Sequence, residues 1–399
     1  MGLLVHKQKG VPSLTGIARL SIIGFIIALA LALSSTIWSV YLDSFVHSES
    51  IVGFISSFLT LISLFAYFFF IPLIEKSNKV KLFSYVLFLT FLTYIFLFLS
   101  PNLYWFLFFA VALTIFSCLR ITCFGILIKE ISKRKNLSRN EGLVYSFFNI
   151  AWVVGPLLAG FIAVKYGDKN IFLVSAFFIF LSFLMFNTLK IKDVEKRKKI
   201  DKQIIKNFID FLKGKERVIG YILGGGNNLW WALIYIYLPL YIIRSGLNEL
   251  WIGYFLFAVA LPLILFEYAF SKIAGKYGFR KMFIFGYGIT AIISLLSFFF
   301  ASNIYILLFL LSLASVGMAM VEPTTEAYFL DILKEKEILR FYGPYNTATD
   351  VGQFVGNISA ALLLIFLPFK YLFILFAVFM FLLTFLSMKT KKIIESRRE

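Results

Sequence analysis

Five ionisable side chains stand inside otherwise apolar stretches of this 399-residue chain: Arg120, Glu267, Glu322, Glu326 and Asp350. Each costs roughly 2.5–3.5 kcal/mol at the middle of a bilayer unless it is paired or faces water. Arg120 and Glu322 carry opposite charges at similar depths of two stretches related by an internal repeat, so they read as a cross-cavity pair or as a site for substrate and proton, with Glu326 as a further member. Burial and a nearby guanidinium pull a carboxylate's proton affinity in opposite directions, which is the chemistry that proton coupling needs. Ser312, Ser315, Ala319, Glu322 and Glu326 recur at helical spacing, one small and polar stripe of the kind a water-lined wall requires. Elsewhere, Gly224-Gly225-Gly226 leads into Asn227, Asn228 and then Trp230-Trp231. Three glycines weaken a helix by roughly 1 kcal/mol each, which predicts a hinge or a broken helix, with plain close packing as the rival. Asn227, Trp231 and Tyr235, spaced by four, offer a face for an amphipathic organic ligand, and Ser34, Ser35, Trp38 and Ser39 are read as facing them.

The elements that hold these groups are membrane spans. The chain is 60% hydrophobic and 15% charged with a mean hydropathy of +0.89, where soluble domains run nearer half apolar and a quarter charged. Apolar runs long enough to cross a bilayer fall at 17–42, 50–74, 81–100, 103–129, 142–164, 170–190, 217–243, 249–272, 281–300, 303–330, 343–367 and 369–389, numbered here as spans 1 to 12. The first is read as a retained span rather than a cleaved leader. The net charge of +18 is distributed by topology and not for nucleic acid: of the 39 Lys and Arg, only Lys165, Lys169, Arg244 and Lys370 fall on one set of alternate loops, and Arg120 lies within a span. That asymmetry predicts a multi-pass protein of the cell membrane with both termini in the cytoplasm and contact with anionic lipid.

The chain also repeats itself. At an offset of 200, Tyr41, Glu49 and Gly53 fall on Tyr241, Glu249 and Gly253; at 201, Glu130, Ile131, Lys133, Arg139 and Gly142 fall on Asp331, Ile332, Lys334, Arg340 and Gly343. Two parallel six-span halves, 1–190 and 217–399, point to a transporter whose substrate path runs between them. The basic segment 191–216 joins them, and Ile200, Ile204, Ile205, Phe208, Ile209, Phe211 and Leu212 read as an amphipathic helix on the membrane surface.

Two motifs bear on movement. Short turns join spans 2 and 3 (Glu75-Lys76-Ser77-Asn78) and spans 8 and 9 (Gly275-Lys276-Tyr277-Gly278), each with a left-handed-tolerant residue before further basic residues. On span 5, small residues recur at Gly142, Ala151, Gly155, Ala159 and Gly160, and Pro156 frees a carbonyl, so this helix can approach a neighbour closely and slide against it. The turns resemble the loop signature of the major facilitator superfamily, and the span 5 pattern is similar to that superfamily's fifth-helix motif, associated with its multidrug or solute:proton antiporters. The resemblance covers essentially the whole chain. It implies an all-α fold of twelve transmembrane helices in two pseudo-symmetric six-helix bundles, working by alternating access. Gating then falls to Glu75, Lys76, Gly155 and Pro156, and to Glu267 and Asp350 in contact with basic loops near Arg139 and Arg340.

No nucleotide-binding loop, nucleophile–base arrangement or metal spacing is present, and Cys118 and Cys123 on one span support neither a disulfide framework nor a metal site. The expectation is a monomeric secondary transporter without cofactor or catalytic chemistry, exporting a small organic solute against protons. Uptake by symport or uniport is the alternative, and a non-transporting membrane sensor or scaffold of the same fold is a third.

Overall fold

The computed structural model describes residues 14–132, 137–188 and 204–393, and these residues contain helices and no strand. The first half holds α1 (Leu14–Val46), α2 (Glu49–Lys76), α3 (Lys79–Phe98), α4 (Leu103–Ile131), α5 (Leu137–Tyr166) and α6 (Lys169–Thr188). A short α7 (Ile204–Leu212) leads into α8 (Lys215–Ala232), a π-helical turn (Leu233–Tyr237) and α9 (Leu238–Arg244), which together make span 7. The second half continues with α10 (Glu249–Tyr277), α11 (Phe279–Phe299), α12 (Ile304–Ile332), α13 (Glu335–Asn346), α14 (Ala348–Phe366) and α15 (Tyr371–Ser387). Ten described helices are long and apolar enough to cross a membrane; span 7 and the shorter α15 complete twelve crossings. Helices are the only open-ended answer in hydrocarbon, because they satisfy every backbone group internally.

Helix ends follow local chemistry. Asn102 and Asn303 cap α4 and α12, accepting from Trp105 N at 3.0 Å and from Tyr305 N and Ile306 N at 3.2 Å. The two corresponding turns differ: Gly278 takes φ +94, whereas Asn78 stays extended and caps α3 by accepting from Lys81 N at 2.9 Å. Asn78 therefore serves through its side chain and not through a left-handed backbone, as its spacing had suggested.

Packing repeats with the sequence. In the first half α1 packs on α5 and α6, α3 on α4 and α6, and α2 on α4. In the second half the equivalent pairs recur: α8 with α14 and α15, α11 with α12 and α15, and α10 with α12. The two main contacts between halves, α2 with α14 and α5 with α10, exchange with each other under the same relation. At the α5–α10 crossing a Cβ added to Gly253 would sit 2.6 Å from the Pro156 carbonyl oxygen, so close backbone approach is what these small residues permit. Gly155 packs instead within its own half, where an added Cβ would lie 2.5 Å from that of Ala32. Both termini of the described chain share one end of the bundle, the terminal end; Val46, Glu49 and Arg244 mark the distal end.

Candidate functional site

Span 7 breaks where a proline dictates it. Pro239 has no N–H, so the carbonyl of Tyr235, four residues earlier, loses its helical partner. The chain widens into a π turn over Leu233–Tyr237, and the Tyr235 carbonyl accepts instead from the Ser39 hydroxyl of α1 at 3.5 Å. The three glycines do not form the break. They lie within continuous α8, where Gly225 meets Gly352 of α14 backbone to backbone, so close packing is their role and the hinge lies farther along the span.

Around this break sits the second half's carboxylate. Trp231 Nε1 donates to Glu322 Oε2 at 3.2 Å, and the Asn227 side chain is within reach of the same carboxylate. Asn227 is 7% exposed and its Oδ1 has no partner, while Asn228 Nδ2 donates back to the Gly224 carbonyl at 3.3 Å. Tyr235 packs against Trp231 and, edge to face, against Trp152 of α5, both with centroids 5.7 Å apart. Glu267 on α10 is near enough for its charge to feel Glu322. The polar stripe of α12 divides: Ser315 and Ala319 are fully buried in packing, Glu322 is half-buried, and Glu326 is exposed and accepts from the Tyr342 hydroxyl at 2.5 Å. A continuous water-lined wall is therefore not what α12 presents.

Arg120 stands in a separate cluster of the first half. It is 5% exposed, its Nη2 reaches Ser117 Oγ at 3.5 Å, and its Nε has no partner. Tyr67 of α2, Tyr94 of α3 and Cys118 are its polar neighbours; the Tyr94 hydroxyl is bonded to Ser34 at 2.9 Å and Cys118 Sγ lies 3.3 Å from Ser63 Oγ. No ion pair among the described residues joins Arg120 to Glu322, which corrects the expected pairing. The reason is topological: α4 packs on α1, α2 and α3, and α12 on α8, α10 and α11. Equal depth in two pseudo-equivalent helices does not make two side chains neighbours. Ser35 and Trp38 lie half-buried on α1, with the Trp38 and Phe106 ring centroids 5.2 Å apart.

The family model described as Major Facilitator Superfamily matches residues 20–266 and 231–397. The chain belongs to the major facilitator superfamily. An uncharacterized MFS-type transporter of Methanocaldococcus jannaschii is 25% identical over 61% of this chain and 64% of its own length. A protein designated transporter AmpG 1 of Rickettsia conorii is 32% identical over 42% of each. The match thus spans less than two thirds of either relative. Among solved structures, a POT family transporter in complex with a thioalcohol-conjugated peptide superposes with a TM-score of 0.76 at 13% identity, covering 94% of this chain and 95% of that one. The nucleoside transporter NupG gives 0.74 at 11% identity, covering 94% and 99%. These two likenesses establish the fold.

In this superfamily member the two ends of the bundle are held differently. At the distal end Arg244, closing span 7, bridges Asp43 of α1 at 3.3 Å and Glu49 of α2. The partner of Asp43 thus comes from the other half. Nearby, Asp168 between α5 and α6 is half-buried; burial, and secondly the charge of Glu249 at the start of α10, push its carboxyl up to about 6. At the terminal end Arg340 engages Asp210 of α7, with Nε donating to Asn207 Oδ1 at 2.9 Å, so it is not the partner of Asp350 or Glu267. Asp210 is held below the usual carboxylate range by its hydrogen bond to Lys213 and by Arg340. Phe211 fills an aromatic socket of Tyr221, Phe329 and Phe341, docking α7 on the second half. Asp350 of α14 contacts Ser63 of α2 across the halves. The side chains of Glu75, Lys76 and Arg139, and the linker with Ile200, lie outside the described residues.

Proline arithmetic could have located the π turn in sequence, since Pro239 names Tyr235 as the freed carbonyl. Nothing in the spacing singles out Tyr67, Tyr94, Trp152 or Ser63, because aromatic and small residues occur on every face of these spans.

Proposed function

We propose that this chain is a secondary transporter that moves a small organic solute by alternating access. Residues 1–190 and 217–399 rock as two units about the α2–α14 and α5–α10 crossings, with 191–216 as the basic linker. The reading rests on the Glu322 carboxylate, held by Trp231 and Asn227 beside a helix break that the opposite half touches through Ser39 and Trp152. A carboxylate whose donors sit at such a break gains or loses its proton when the halves move, and one proton crossing 100 mV supplies about 2.3 kcal/mol. Proton-coupled efflux is the direction favoured by the small-residue run of α5, where Pro156 meets Gly253 between halves. The basic loops support a plasma-membrane protein with cytoplasmic termini, which makes the Arg244 end external and the described state closed to the outside. The chain works as a monomer and performs no covalent chemistry on its solute.

Solute flux into proteoliposomes, measured with and without an imposed pH gradient, tests this reading. Gradient-dependent flux supports it. Flux indifferent to the gradient removes proton coupling, and ligand binding with no flux of any solute converts the protein into a sensor.

A further inference from the structure

Arg120 is a buried charge in the middle of a first-half span for which the structure gives no ion pair. Its Nε is without a partner and a single long contact to Ser117 engages the rest of the fork. A guanidinium stays charged in any protein setting, and an isolated buried charge is far costlier than a paired one. Its neighbours Tyr67, Tyr94 and Cys118 are neutral near pH 7, and each already has a partner: Tyr67 is bonded to Cys118, Tyr94 to Ser34 and Cys118 also to Ser63. Asp350, whose charge reaches Tyr67 and Cys118, is engaged with Ser63.

We propose that Arg120 is the receptor for an oxyanion on the transported solute, a carboxylate or phosphate carried by a small apolar or aromatic body. The assignment rests on the transporter reading above and names the class of cargo. A planar fork with free N–H groups matches an oxyanion bidentately, which a lysine cannot do. The rest of the solute would extend toward the second half. Ser34, which touches the Tyr94 hydroxyl beside Arg120, and Ser39, which touches the Tyr235 carbonyl, are five residues apart on α1, a rise of about 7.5 Å and about 140° round the helix, so that path runs around α1 and not along one of its faces. At its far side wait the faces of Tyr235, Trp231 and Trp152 and then the Glu322 carboxylate, which repels a second anionic group. The solute is therefore anionic at one end only, with that end toward the first half.

The test uses the purified chain in phosphatidylcholine nanodiscs, with benzoate and phenyl phosphate as anionic probes and benzyl alcohol as the uncharged control, at constant ionic strength. At least one anion raises the thermal unfolding temperature in wild type, and benzyl alcohol does not. Arg120→Gln removes that response, and Arg120→Lys, which keeps the charge without the fork, raises the half-saturating concentration by about tenfold or more. Without probe, R120Q unfolds no earlier than wild type, because it deletes an uncompensated charge. Earlier unfolding of R120Q, an equal response to benzyl alcohol, a response retained in R120Q, or no response to either anion each overturns the assignment. Adding phosphatidylglycerol to the nanodiscs separates the sources: a response that survives supports a solute, and one that is erased gives the site to a lipid headgroup and overturns it. Flux keeps the two readings apart. Transport of uncharged solutes alone, unchanged in R120Q, sinks the anion and leaves the transporter; absence of all flux sinks the transporter.

Discussion

Glu322 and Arg120 show how far a membrane charge can be read from its own surroundings. Glu322 has two donors from α8, an indole and an amide, and both come from the face spaced by four that the sequence displays. Glu322→Gln keeps the size and the hydrogen-bonding atoms but cannot carry the proton. It is expected to abolish the response of flux to a pH gradient while exchange without a gradient continues, as counterflow would measure. Asp168 makes the second prediction. Its carboxyl stands at about 6 against an ordinary 3.8, so the folded protein prefers the protonated acid. Native stability on this account falls as pH rises from about 3.8 to about 6 and stays lower above. Asp168→Asn cannot ionise; it should match wild type near the bottom of that window and unfold at a higher temperature above it, in melts recorded at the two extremes.

At the scale of elements, small residues and prolines decide where helices touch and where they open. Gly352 faces the backbone of Gly225, with the Gly225 Cα 2.9 Å from where a Cβ would lie. Backbone cannot step aside as a flexible side chain can, so Gly352→Ala is expected to destabilise by about 1–3 kcal/mol, read as a lowered thermal midpoint in detergent. Pro239 acts in the opposite sense. Pro239→Ala restores the N–H that Tyr235 lacks and lets span 7 run on as an α-helix. A proline inside a helix costs about 3 kcal/mol, so this variant is expected to melt no earlier than wild type. Its flux should nevertheless fall severalfold, because the break that Ser39 and Trp152 contact closes up. Unaltered flux in a variant of raised stability would show that the π turn is incidental.

For the whole molecule, the two ends of the bundle are not equivalent. The distal end is tied between halves by Arg244 on Asp43 and Glu49, and the latch at the terminal end, Arg340 on Asp210, ties the linker helix to the second half alone. Arg244→Gln removes the inter-half tie while leaving Asp43 and Glu49 able to take water. The expected result is a population shift toward the state open at the distal end, since exposed pairs are worth up to about 1 kcal/mol and a shift of that size changes an equilibrium by about fivefold. A cysteine placed at Trp38 would then react faster with an impermeant maleimide added from the distal side, and an unchanged labelling rate would exclude the tie as a gate.

What the chain's order of residues determined by itself was the periodic part: twelve apolar runs, the 200-residue repeat, the basic loops and hence an all-α bundle in two related halves. In hydrocarbon only helices and closed barrels satisfy every backbone group, and continuous apolar runs of about 20 residues fit the helix, so length and polarity suffice for that much. It also determined that Trp231 and Asn227 share a face, because helical spacing does so without help from tertiary structure. Only the tertiary structure decided which charges meet. Arg120 and Glu322 occupy matching helices yet different neighbourhoods, Arg340 finds Asp210 on the linker, Asp43 finds Arg244 from the other half, and the glycines of α8 pack while a proline beyond them makes the break. Helix rotation and crossing set those encounters, and in spans apolar on every face no periodic signal records which side turns toward which neighbour.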